Sequence, residues 1–324
     1  MTIEYASMQV VRKPWGKHDL RPWNDTRDDG APVGEIWFQR QPSSAGEPEL
    51  LLKLLFTSQP LSIQVHPDDA YAHTMGEPHG KTEAWYILAA EPGAAVAVGL
   101  KREMSPDALR AAIEDGSIAD LVQWHPVHAG DAVFIPAGTI HAVGPGLVLA
   151  EIQQRSDVTF RLFDYGRKRE LHVDAGVAVA HAGPPGPQQA PRALGDNRTL
   201  LVANPYFVLE RVALPPNTTR VLNASCETWF LGLEGDATLG ANVVGIGKAV
   251  FLDHERCTLR SGERGLTALC AYLGPESHRN LLEAPDQTLS DSTFPHRTAR
   301  RIGASISNSD GTATAFPRSK EVYS

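Results

Sequence analysis

Ser62, Gln64 and His66 alternate along one short run, Glu83 follows in Lys81-Thr82-Glu83-Ala84-Trp85, and His141 closes Gly130-x5-Pro136-x-Gly138-x2-His141. Two imidazoles, a carboxylate and an amide oxygen make a four-ligand shell suited to a zinc-like ion. Each residue also has a plainer reading. His141 could simply end a hairpin, since a lone histidine is often structural. Gln64 could orient a water or a substrate. Glu83 and Lys81 could form a cross-strand ion pair on a wet surface, worth only ~0–1 kcal/mol.

The chemistry needs strands to aim these groups. Pro60 to Pro67 alternates apolar and polar residues, which predicts a half-buried strand. Ser62, Gln64 and His66 then share one face, and Ile63 and Val65 the other. Lys81 to Leu88 is a second predicted strand, with Lys81, Glu83 and Trp85 on one face. Ala132 to Pro136 and Leu147 to Ile152 are apolar strands. In Thr159 to Phe163, Arg161 faces opposite to Phe160 and Leu162. One helix stands out between Glu83 and His141. Ser105 is its N-cap, Pro106 its first residue, and Ala108, Leu109, Ala112 and Ile113 its apolar stripe, with Gly116 as the stop.

The 324 residues suffice for two modest domains, and 24 prolines with 28 glycines suit a loop-rich β protein. The net charge of −8 and the lack of a Lys/Arg track argue against nucleic-acid binding. No long apolar run predicts a membrane span, and no apolar signal core opens the chain. Cys226, Cys257 and Cys270 show no CxxC spacing, so a reducing, cytoplasmic setting is expected.

The expected organisation is an N-terminal metal-binding unit over 1–180, with a helical insertion at about 104–122. A Pro/Gly-rich linker follows over 181–194, then a second β unit over 195–275 and a polar tail over 276–324. Glu83-Ala84-Trp85-Tyr86-Ile87 echoes Glu227-Thr228-Trp229-Phe230-Leu231, and Gly130 to Ile135 echoes Gly247 to Leu252. Two related β units are therefore expected. The second lacks the Gln-x-His and Pro-x-Gly-x2-His elements, so it is expected to hold no metal.

The ending in His141 resembles the second motif of the cupin superfamily, and Gln64-x-His66 resembles the paired ligands that cupins set on one strand. Four runs then occur in order: Ser62 to Asp69, Gly80 to Tyr86, Pro136 to Ala142 and Gln153 to Arg161. They resemble type I mannose-6-phosphate isomerases in their short bacterial form, over roughly residues 10 to 275. The resemblance implies a mainly β fold of two cupin-type sandwich or jelly-roll units. It implies one zinc ion per chain on Gln64, His66, Glu83 and His141. It also implies an active-site arginine at Arg161, Lys81 in the same pocket, Ser62 near the substrate phosphate and Trp15 on the wall. The implied activity is interconversion of mannose 6-phosphate and fructose 6-phosphate by a monomer or small homo-oligomer.

The proton-transferring base stays open between Lys81, a water on the ion, and a direct hydride shift. Ile36 departs from the family's small polar residue, which leads to an altered rim. The alternatives are a non-catalytic sugar-phosphate-binding cupin that acts as a sensor, and a redox-metal cupin oxygenase.

Overall fold

A computed structural model describes residues 2–25, 30–40, 46–195 and 197–285. Among these residues the strands form sheets of five, six and ten strands. The expected tail beyond residue 285 lies outside the described residues.

The five- and six-stranded sheets face each other. Trp85, Ile87, Leu149 and Val133 of the larger sheet pack against Val96, Val98 and Val143 of the smaller. The outer face of the five-stranded sheet carries Ile63, Val65, Phe160 and Leu162. These residues are covered by helices Pro106–Glu114, Ile118–Leu121 and Val173–Val179. The outer face of the six-stranded sheet buries Ile36, Phe38, Leu52 and Leu54 against Phe207, Leu209, Trp229 and Phe251 of the ten-stranded sheet. The two halves of the chain thus share one core. The ten-stranded sheet encloses a further core of its own around Val212, Phe230, Val250 and Tyr272. The chain's first strand, Thr2–Tyr5, pairs with Ala249–Asp253 of this sheet.

The alternating run is strand only over Ile63–Val65, shorter than its pattern suggested. Helix Pro106–Glu114 follows its signals closely. Ser105 Oγ accepts from Ala108 N, Leu109, Ala112 and Ile113 are buried, and Gly116 takes φ +81° just past the end. Ala108 is exposed, so it lies off the stripe. A second short helix, Ile118–Leu121, also falls between Glu83 and His141, where only one was expected. Four residues in one turn carry too little periodicity to be read.

The two echoed segments pair with each other in both halves, but one residue out of step. Trp85 registers with Val133, whereas Trp229 registers with Phe251, the counterpart of Phe134. Trp85 lies inside the first sandwich, and Trp229 faces the shared core. Glu227, the counterpart of Glu83, accepts from Glu49 N at 2.7 Å and Leu50 N at 2.9 Å. In the second half this carboxylate fastens the two halves together.

Among the described residues no helix is long and apolar enough to cross a membrane.

Candidate active site

The site lies between the facing sheets. In the five-stranded sheet Gln64 stands between His141 on one neighbouring strand and Arg161 on the other. His66 follows just beyond the strand's end. Glu83 opens the strand Glu83–Ala90 of the opposite sheet. Pairing and period-2 alternation thus bring together groups from four separate segments.

His66, Glu83 and His141 are buried, and their ligand atoms all lie within 4.8 Å of one another. His66 Nε2 is 3.4 Å from Glu83 Oε2, and His141 Nε2 is 3.4 Å from Glu83 Oε1. Four ligands at tetrahedral zinc distances stand about 3.3 Å apart, which these separations match. Each imidazole turns Nδ1 to a backbone carbonyl, Val158 O at 3.0 Å and Thr139 O at 2.8 Å. Each ring then carries its proton on Nδ1 and presents an Nε2 lone pair to the centre. His66 Nε2 and both Glu83 oxygens have no hydrogen-bond partner among the described residues. Such buried orphans are costly, and a bound cation would satisfy all three. The residues present therefore fit a zinc-like ion.

The charges agree with this arrangement. Burial, with Lys81 nearby, pushes His66 down to about 3 and keeps it neutral. Burial also lowers His141. Burial works to raise Glu83, but the neighbouring charge, that of the Lys81 ammonium foremost, outweighs it and holds the carboxyl well below its usual range. Gln64 Nε2 lies 3.2 Å from His141 Nε2. A half-turn of the amide puts its oxygen there instead. Ser62 Oγ is 3.4 Å from the other end of that amide.

A cleft, open at its mouth, adjoins this group. Ser62, Gln64, Lys81, Trp15 and Arg161 all line it, so the structure gathers the sequence-predicted residues around one space. Trp15 arrives on a bulge. Arg12 and Lys17 both register with Val33, so residues 13–16 loop out and carry Lys13 and Trp15 into the cleft. Gly16 permits this approach, because a Cβ there would sit 2.3 Å from the Val33 backbone. Arg161 donates from Nη1 to Glu170 O at 2.7 Å, while its buried Nε has no partner among the described residues.

Two expectations change. Ile36 is fully buried in the shared core on the far face of its strand, so it does not touch the rim. Its neighbour Glu35 lines the cleft instead. Lys81 is a poor base in this setting. Burial acts to lower it, but Glu83, Glu151 and Asp157 prevail and raise it above its ordinary value. Its ammonium lies 3.3 Å from Glu83 Oε2.

Sequence reasoning missed a row across the six-stranded sheet. Trp37, Lys53, Glu151 and Trp85 stand side by side on adjacent strands. Lys53 Nζ lies 3.4 Å from Glu151 Oε1 and 4.4 Å from the Trp37 ring centre. Trp85 Nε1 donates to Glu151 Oε2 at 3.1 Å. Burial, and then the charge of Glu83, push Glu151 up to about 7. The available signal was a lysine inside Leu50–Phe56 and a glutamate inside Leu147–Gln154, each amid apolar residues. Charges buried in such strands need one another.

No family model matches the chain. Over 193 residues, 56% of the chain, it is 37% identical to the mannose-6-phosphate isomerase of Streptococcus mutans and spans 60% of that protein. A Bacillus subtilis mannose-6-phosphate isomerase is 42% identical over 138 residues, with 43% of its length covered. Over these stretches the chain is similar to mannose-6-phosphate isomerases. It also shares their fold. The crystal structure of the mannose 6-phosphate isomerase from Bacillus subtilis superposes with TM-score 0.73 at 23% identity, over 84% of this chain and all of that one. A variant of phosphomannose isomerase from Salmonella typhimurium superposes with TM-score 0.67 at 16% identity, over 85% of this chain and all of that one. The chain thus covers the full length of both solved structures, while the sequence similarity reaches little more than half of this chain.

Proposed function

We propose that the chain is a metal-dependent aldose–ketose isomerase that interconverts mannose 6-phosphate and fructose 6-phosphate. One observation carries the reading. His66 Nε2 and both Glu83 oxygens lack hydrogen-bond partners among the described residues, and with His141 they form a buried group that suits a cation, beside a cleft lined by Gln64, Lys81 and Arg161. Relatives named mannose-6-phosphate isomerase support the choice of reaction.

His66, Glu83 and His141 would hold one zinc-like ion, with the Gln64 oxygen as the fourth ligand. When bound, the ion supplies Lewis acidity to the sugar's oxygens. The chain's own residues do the rest. Glu151 takes the proton from C2 of the open-chain aldose and returns it to C1, while the hydroxyl proton passes from O2 to O1. Burial raises the Glu151 pKa above the ordinary carboxylate value, which suits a base that must accept and give back a proton. Lys81 and Arg161 place fixed positive charge where the oxygens gain negative charge. Ser62 and Arg169, which also line the cleft, hold the phosphate by charge-assisted hydrogen bonds. These few cations attract an anion despite a net charge of −8. A reducing cytoplasm fits the three free cysteines.

Zinc-loaded protein incubated with mannose 6-phosphate, or with fructose 6-phosphate, is expected to reach the same mixture of the two from either side. Absence of conversion in both directions at verified metal content contradicts the reading.

A further inference from the structure

Two stretches of the ordered motifs have no part in the chemistry above: Asp68-Asp69 after His66, and Gln154 before Arg161. They meet behind Lys81. Asp69 Oδ1 accepts from Gly80 N at 2.7 Å and from Gln154 Nε2 at 2.9 Å. Gln154 Oε1 in turn accepts from Thr82 N at 2.9 Å. Lys81 N itself donates to Pro67 O at 2.9 Å. Three successive backbone N–H groups, those of Gly80, Lys81 and Thr82, are thus tied to the turn after His66 and to Gln154. Gly80 makes the close approach possible, since a Cβ there would lie 2.4 Å from the Asp68 backbone.

The direction of each bond is fixed. Gln154 accepts from Thr82 with its oxygen, so its nitrogen must face Asp69, and Asp69 must accept. The other half of the chain contributes here too: the Tyr206 hydroxyl lies near the Asp69 side chain and favours its ionised form. Gln154 is buried, and Asp69 and Tyr206 are half-buried.

We propose that Asp69 and Gln154, with Tyr206 of the second half, are positioning residues that fix the run from Gly80 to Glu83 against His66. They touch neither the cleft nor the cation-binding atoms. They set where the Lys81 ammonium and the Glu83 carboxylate stand relative to the two imidazoles. The effect on turnover rests on the isomerase reading, and the effect on the cation-binding group does not. A misplaced group of this kind impairs the transition state more than substrate binding.

The test compares Asp69→Ala, Asp69→Asn and Tyr206→Phe with the unaltered chain, each loaded with Co²⁺ as a spectroscopic probe. Loss of an outer partner typically costs ~10–100-fold in activity or metal affinity. Asp69→Ala is expected to lower kcat by about that factor with KM changed less than about threefold. Its Co²⁺ affinity should fall and its visible bands should shift. Asp69→Asn keeps an acceptor oxygen and should recover most of both, and Tyr206→Phe should fall between. If Asp69→Ala does not fold, Asp69→Asn and Tyr206→Phe carry the comparison. Unchanged bands, affinity and kcat per folded molecule, with only a lower Tm, overturn the proposal. If the unaltered chain turns over no mannose 6-phosphate, the isomerase reading fails and the Co²⁺ measurements still decide this one.

Discussion

Glu151 and Lys53 stand directly opposite each other on adjacent strands, with carboxylate and ammonium 3.4 Å apart and both side chains nearly sealed from water. Burial and the nearby Glu83 nevertheless lift Glu151 to about 7 from an ordinary 4.5. As a base it works only when ionised, so kcat/KM should rise with pH through its pKa. A cation on Glu83 offsets part of the repulsion, so the acidic limb of the loaded protein is expected between pH 4.5 and 7. Glu151→Gln should abolish that limb and lower kcat by ~10²–10⁴-fold. A pH–rate profile of both proteins checks this.

The same shift bears on stability in the metal-free chain. Ionising Glu151 costs more in the folded state than in the unfolded one. The penalty is absent below about pH 4.5, grows as pH rises, and is complete above about pH 7. Glu151→Gln should therefore raise Tm relative to the native chain at pH 8, with little gain at pH 4. Thermal melts at the two pH values read the difference.

His141→Ala removes one of the two Nε2 lone pairs that face Glu83. Its loss should weaken metal binding by more than the ~10–100-fold typical of an outer partner, and turnover should fall with it. Metal analysis after dialysis, beside the activity assay, checks the pairing of the two losses. Retention of both ion and activity would mean that the shell is assigned wrongly.

Arg161 is held by Glu170 O and lines the cleft. Arg161→Ala should lower kcat/KM by about 10²–10³-fold, the usual cost of losing a donor aimed at developing charge. Arg161→Lys should restore little, because a point charge does not replace the planar fork. Steady-state kinetics with mannose 6-phosphate distinguish the three proteins.

Gly16→Ala should cost ~1–3 kcal/mol, since the added carbon meets the Val33 backbone and the bulge must shift. Trp15 moves with the bulge, so KM should rise as well. Denaturant unfolding gives the first effect, and kinetics the second.

Much of this site was legible in the sequence because alternation has a period of two. Gln64 and His66 had to share a face, and so did Lys81, Glu83 and Trp85. The Pro-x-Gly turn announced the delivery of His141. The pairing of strands was not legible, and with it the neighbours that matter most. Nothing local says that Glu151 meets Lys53, or that Gln64 lies between His141 and Arg161. The one-residue offset between the echoed hairpins was equally hidden. It is a matter of register, and it turns the second tryptophan to the shared core. Ile36 misled because its motif position suggested the rim, whereas its parity along the strand puts it in the shared core and turns the neighbouring Glu35 to the cleft.

The most direct test of the account is a titration of metal-stripped protein with Zn²⁺, reading fructose 6-phosphate formed from mannose 6-phosphate. No turnover is expected without metal, followed by a rise in proportion to added ion and a break at one equivalent per chain. Turnover by the stripped protein, or none after one equivalent has bound, would contradict it.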